Sequence, residues 1–272
     1  MLTIWAPMVR ALLLSALTLA PASGSPADEA APQKPAVPAP EAPRQGLEAL
    51  LAQVDQAYAR RDEAGAMDEM RARLDEAEKL APNDYEVLWR QARHFFWLSD
   101  DPSLPNDQKS KLGKKGWDYG ERAIAADPSR VEGWHYAAAG MGNYSLGIGI
   151  FRALGEGIEG KFKDHLSHAE KIAPGFENGG IQTAWGRFWY KLPWPKYDPK
   201  KSEQMLRKAL QLNPSNVRAR NYLAELYARE GHPKEARKLL EEALADQPGA
   251  YDAPEERRSL EQARKQLEAL KQ

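Results

Sequence analysis

One spacing leaves this chain little freedom. An alanine stands five residues before a proline in AEKLAP (Ala77, Pro82), AIAADP (Ala123, Pro128), AEKIAP (Ala169, Pro174), ALQLNP (Ala209, Pro214) and ALADQP (Ala243, Pro248). The prolines follow one another at intervals of 46, 46, 40 and 34 residues. Proline lacks an amide hydrogen and its ring clashes with the preceding turn, so each one ends a helix. A small residue at a fixed distance before that ending suits a crossing of two helices, where a larger side chain would push the axes apart. Five such endings predict five helical hairpins, with the apolar residues Leu80, Ile172 and Leu212 buried beside the alanines. Asn83-Asp84, Ser129 and Ser215-Asn216 are natural N-caps for the helices that follow.

The shortest interval serves as a ruler. Val217 to Pro248 holds one two-helix unit: Leu223, Ala224 and Tyr227 share a face, Gly231 breaks the chain, and Ala236, Leu240 and Ala243 face the first helix. Leu, Ala and Tyr, then Ala, Leu and Ala, then Pro, within 34 residues, resembles the tetratricopeptide repeat. The expected fold class is therefore all-α, a tetratricopeptide-like stack of about five helical hairpins. After Pro254, the apolar positions Leu260, Ala263, Leu267 and Leu270 recur at three and four, which predicts a C-terminal capping helix.

Composition narrows the function. A formal charge of -1 over 272 residues lacks the excess of Lys and Arg that neutralises phosphates, so nucleic acid is set aside as a partner. The absence of cysteine excludes a disulfide, a thiolate zinc site, a cysteine nucleophile and a lipid anchor on an N-terminal cysteine. Residues 1–22 carry Arg10, the uncharged run Ala11 to Leu19 and small residues up to Ala22, the pattern of a secretory signal peptide cleaved after Ala22; an uncleaved anchor is the alternative. Either places the remainder across the membrane, and the expected location is the periplasm. Residues 23–45, rich in Ala and Pro, read as a disordered linker, and residues 46–272 as the repeat domain.

Departures from the ruler gather in the middle. The second and third hairpins each hold 12 residues more than 34. Leu146, Ile150, Leu154, Ile158, Phe162 and Leu166 recur every fourth residue and predict a long helix with a narrow apolar seam, against which the many glycines argue. Gly149, Ala153 and Gly157 would form a smooth stripe on that helix, for tight helix packing or for a flat ligand. Gly155 to Gly160 spells G-x-G-x-x-G, but the dinucleotide motif requires a strand before it, and helical segments flank it here. Between 185 and 197, six of thirteen residues are aromatic: Trp185, Phe188, Trp189, Tyr190, Trp194 and Tyr197. This set either lines a groove or wedges the core beside the preceding insert. The candidate contact residues for a ligand or partner are Trp134, Tyr144, Phe151, Trp185, Phe188, Trp189 and Trp194.

Gly179-Gly180, a helix ending in Leu192-Pro193-Trp194-Pro195, an amphipathic helix to Pro214 and the clean last repeat together resemble the divergent tetratricopeptide domain of the T component associated with tripartite ATP-independent periplasmic transporters. The arrangement is also similar to that of the regulator-of-microtubule-dynamics family. The resemblance covers about Tyr85 to Leu270. It implies a periplasmic helical-repeat protein with an internal hydrophobic cavity or pore that hands a small ligand to, or stabilises, a transport component. The transporter-associated proteins are lipoproteins, whereas this chain has no cysteine to acylate.

No catalytic constellation stands out. His165 and His168 with Asp164 give half a metal site, and a solvated helix face is the plainer reading. His94 and His135 are expected as hydrogen-bonded groups of the core or its rim. The expectation is a non-catalytic scaffold without cofactor or metal, binding a protein or peptide partner or a small hydrophobic ligand. A solute-handling accessory of a transporter is the alternative, and the sequence is compatible with an oligomer.

Overall fold

A computed structural model describes residues 41–245 and 252–270. The expected signal peptide and most of the expected linker lie outside the described residues. The helices pair as five hairpins: α1 (Glu41–Ala59) with α2 (Ala66–Leu80), α3 (Tyr85–Ser99) with α4 (Asn106–Ala126), α5 (Val131–Ile148) with α7 (Ile158–Ile172), α8 (Gly180–Lys191) with α9 (Pro199–Leu212), and α10 (Val217–Arg229) with α11 (Pro233–Ala245). A short helix, α6 (Ile150–Gly155), is inserted in the third hairpin, and α12 (Ala253–Ala269) packs on α10 and α11 as the cap. No strand occurs among the described residues. Helix α1 begins within the stretch read as linker, ahead of the residue-46 start.

The alanine-to-proline spacing has a common physical cause. Ala81, Asp127, Ala173 and Asn213, each just before a proline, donate from the backbone to the carbonyls of Ala77, Ala123, Ala169 and Ala209 at 2.9 to 3.0 Å. That is the last helical bond available, because the proline that follows cannot donate. All four alanines and Ala243 are fully buried at helix crossings. Leu80, Ile172 and Leu212 are exposed, contrary to expectation. Each lies in the final turn, where the chain bends away at the next residues and leaves that turn uncovered. Asp84 and Asn216 cap α3 and α10 through Glu86 N and Ala219 N, as the sequence suggests. Ser129 does not cap α5; it donates instead, from N and Oγ, to Asp127 Oδ1.

The long helix expected around residues 146–166 is three helices. Gly149 (φ 91°) and Gly157 (φ 73°) adopt backbone conformations that side-chain-bearing residues rarely take, so the helix ends at Ile148 and the chain turns again before Ile158. The Gly149, Ala153, Gly157 stripe therefore does not exist as a packing surface, and a Cβ at either glycine would meet nothing. Close helix contact occurs elsewhere, between α4 and α5. A Cβ on Gly120 would lie 2.6 Å from Ala137 Cα, and one on Gly140 would collide with Trp117 N. Two helices approach this closely only through residues without side chains.

The stack closes on itself. Arg61, in the first hairpin turn, is buried between the rings of Tyr58 and Trp97 and donates to both oxygens of Asp252, the N-cap of α12. Arg257 on α12 binds Asp62 at 2.5 and 3.0 Å, and Arg258 donates to Trp97 O at 3.1 Å. Arg218 on α10 binds Asp100 at 2.7 Å and Glu255 at 2.6 Å. First and last elements are thereby joined around a central space.

Candidate functional site

That space is a cavity of about 420 Å³. One wall is apolar and comes largely from the insert of the third hairpin: Leu146, Ile150, Leu154, Ile158 and Phe162, with Phe188 and Leu192 from the end of α8. The seam of fourth residues is thus real as a surface, although its backbone is broken twice. Breaking the helix lets α6 wrap part of the cavity, which a straight helix would pass on one side. Ala153 on α6 and Gly142 on α5 also face the cavity. A Cβ at Gly142 would meet only Phe162 Cε2, at 3.6 Å, so this glycine leaves room in the cavity without serving a helix contact.

The remaining wall is polar and charged. Asp100, Arg218 and Glu255 face the cavity as one network. Burial works against the Arg218 charge, but Asp100 and Glu255 hold its pKa well above the ordinary value. Two turns further along α10 stands Glu225, with Arg187 2.5 Å and Lys191 3.7 Å from it. Burial opposes the Glu225 carboxylate, yet these two cations keep its pKa below the usual range. Burial, and then Arg187, push Lys191 down. Arg229 adds to the same field. Arg187 and Lys191 thus share one carboxylate in this corner of the cavity.

His135 lines the cavity with its ring edge-on to Tyr136 and Phe176, and its buried Nδ1 has no hydrogen-bond partner. Both ring nitrogens of His94, deep beside α2, also lack partners. The expectation of hydrogen-bonded histidines fails at these atoms. Burial pushes the pKa of each down to about 4, so both are neutral at pH 7. His165 is not on a solvated face either. It is buried, with Nδ1 on Lys161 O at 2.8 Å and Nε2 on Glu121 at 3.1 Å. Among the described residues no three His, Asp or Glu side chains converge as a metal site.

The seven residues expected as contacts fall into separate places. Trp185, Phe188 and Trp189 pack together on α8, with Phe188 also stacked on Phe162 at 5.0 Å. Of the seven, only Phe188 lines the cavity. Trp134 is stacked on His168 at 4.3 Å and donates to Pro128 O. Tyr144 packs on Trp117 and donates to Glu156. Phe151 and Trp194 project from the surface, 78% and 86% exposed. The aromatic stretch therefore serves mostly as the core wedge, and the wall residues Leu146, Ile150 and Leu154 were hidden in a helical seam. Their signal was the excess length of the third hairpin. Arg61, Arg218 and Glu255 carried no local signal.

Comparison with known proteins agrees with this architecture. Residues 196–254 match the tetratricopeptide repeat, and residues 50–194 match the family described as regulator of microtubule dynamics protein 1-3. No curated protein sequence matches the chain. Among solved structures, the chain is similar to TTC0263, a thermophilic tetratricopeptide protein of Thermus thermophilus. The TM-score is 0.62 at 22% identity, over 82% of this chain and 98% of that one. It is also similar to the pilF protein of Pseudomonas aeruginosa, with a TM-score of 0.53 at 15% identity over 84% and 93% of the two chains. At these identities the structures speak for the fold alone. The match over residues 50–194 spans more than half of the sequence and includes the insert that walls the cavity; the chain is a divergent tetratricopeptide protein that belongs to the regulator of microtubule dynamics protein 1-3 family.

Proposed function

We propose that this protein is a non-catalytic, exported helical-repeat scaffold that holds a small ligand with an apolar body and an anionic head in its central cavity. The observation that carries the reading is the cavity's two-sided lining: an apolar wall from Leu146 to Phe162, and beside it Arg187 and Lys191 sharing the single carboxylate of Glu225. Its volume falls in the range of small-molecule sites, about 300 to 1,000 Å³, and is too small for a partner helix about 10 Å across. An unbranched chain ending in a carboxylate or phosphate fits both sides, because its tail replaces water on the apolar wall and its head meets the Arg187 and Lys191 pair. Export is supported by the signal-like residues 1–22.

A fluorescent polyene fatty acid provides the test. Wild-type protein should bind it at one saturable site. Gly142→Leu, which places a side chain in the cavity without a backbone clash, should weaken binding by about tenfold or more, the scale of a lost apolar contact surface. The methyl ester should bind more weakly than the acid. Failure of the wild type to bind, or equal binding by Gly142→Leu, contradicts the proposal.

A further inference from the structure

Two aromatic side chains, Phe151 and Trp194, are strongly exposed on segments that an ion pair links. Phe151 opens α6, whose neighbours Ile150 and Leu154 face the cavity while Phe151 itself points to solvent. Trp194 stands in the loop between α8 and α9, and Lys196 of that loop pairs with Glu159 in the first turn of α7, just after α6. Glu159 also binds Lys163 one turn along α7 at 3.3 Å, and its pair with Lys196 ties the Trp194 loop to the first turn of α7. The other exposed large apolar residues, Leu80, Ile172 and Leu212, occupy one equivalent repeat position at helix ends and have a packing explanation. Phe151 and Trp194 have none. The flanking segments are cationic: residues 150–163 and 194–201 hold six Lys or Arg against three carboxylates, in a chain whose formal charge is -1, and although Arg152, Lys163, Lys196 and Lys201 pair with those carboxylates, a net positive charge remains.

We propose that the α6 turn and the Trp194 loop form a docking surface for an anionic phospholipid bilayer, with Phe151 and Trp194 inserted at the headgroup level and the surrounding lysines on the lipid phosphates. Aromatic side chains with a polar edge or a neighbouring cation settle at the membrane interface, where the ring leaves water and the charge stays in it. Each Lys or Arg near an anionic leaflet adds electrostatic attraction that salt screens. A protein partner would be expected to meet a shaped apolar patch. Here two rings project separately, Phe151 from the short helix α6 and Trp194 from a proline loop, and the lysines stand mostly on the helices that follow, α7 and α9, which suits a fluid anionic surface. None of the described helices is long and apolar enough to cross a membrane, so the contact would be interfacial. The surface is independent of what fills the cavity, though its position places the apolar wall of α6 next to the bilayer.

Co-sedimentation with vesicles of phosphatidylglycerol and phosphatidylethanolamine tests this on the whole chain. Wild-type protein should bind these vesicles at low salt, bind phosphatidylcholine vesicles far less, and be released as salt rises. Phe151→Ser/Trp194→Ser should lower the partition coefficient by about tenfold or more, the loss of interfacial burial of large apolar side chains. Both positions are solvent-exposed, and unchanged helical circular dichroism will show that the variant folds. Lys200→Glu/Lys201→Glu should reduce binding at low salt, and Gly142→Leu, filled only in the cavity, should bind as wild type. Wild-type protein that ignores anionic vesicles, or a double-serine variant that binds them equally, overturns the proposal. So does a wild-type dimer that the double-serine variant converts to a monomer without any vesicle binding, which would make this a self-association face.

Discussion

The guanidinium of Arg61 donates to both carboxylate oxygens of Asp252, 191 residues further along the chain, at 2.5 and 2.6 Å. This pair converts an open stack of hairpins into a closed one. In a solenoid each repeat touches only its neighbours, so the ends are ordinarily independent. Here the first hairpin and the capping helix meet, and the space between them becomes a cavity with a floor and walls.

Loss of the Arg61 contact should therefore loosen the whole chain and not just one hairpin. Arg61 is buried, stacked between Tyr58 and Trp97, and its removal leaves a partly buried Asp252 without its partner. Arg61→Ala should destabilise by on the order of 3 kcal/mol, the cost of breaking a buried ion pair from one side. Urea unfolding gives that number. Small-angle scattering should show a larger radius of gyration than the wild type, and an unchanged radius would mean that the α12 contacts hold the ring without Arg61.

The α4–α5 crossing makes a sharper contrast between glycines of one helix. Gly140 faces Trp117 N, with which an added Cβ would collide, whereas Gly142 faces the cavity. Gly140→Ala should cost about 2 kcal/mol or more through forced separation of the helices. Gly142→Ala should be neutral or stabilising by up to about 1 kcal/mol, since alanine is the better helix former and meets no obstacle. Thermal unfolding of the two single variants checks the difference in sign.

Acid should weaken the fold before the carboxylates begin to titrate. His94 and His135 have pKa values of about 4 in the folded chain, through burial, with Arg71 adding to the effect at His94 and Asp68 opposing it. Their ordinary value is about 6.5. Below that pH the unfolded chain takes up protons that the folded chain refuses, so the stability present above pH 6.5 is lost as pH falls toward 4. The expected loss is about 2 kcal/mol per histidine between pH 7 and pH 5. Urea midpoints for wild type and His94→Leu over that interval measure it; the variant should lose less with acidification.

The repeats were legible because their signal is local. Ala77 and Pro82, or Ala209 and Pro214, lie within one turn and a half of helix, and one hydrogen-bond rule explains both the burial and the stop. The cap was readable from Leu260 and Ala263 for the same reason. The insert was visible as excess length, but fourth-residue periodicity suggested one helix where Gly149 and Gly157 impose two turns. Periodicity reports which residues share a surface, not whether the backbone beneath them is continuous. The aromatic stretch drew attention to Trp185 and Trp189, which the core absorbs. The polar side of the cavity was not legible at all, since Arg61, Arg218 and Glu255 come together only when the stack closes. Closure depends on the summed rotation of five hairpins, and no short window of sequence contains it.

Whether the central cavity holds a small amphipathic ligand is settled by native mass spectrometry of the full chain purified from its own cells, beside Gly142→Leu prepared in parallel. Wild-type protein should carry a non-covalent adduct that organic extraction releases as a molecule with an apolar chain and an acidic group, and the Gly142→Leu protein should lack it. A wild-type protein that is consistently empty, or an adduct that both proteins carry equally, would contradict the account.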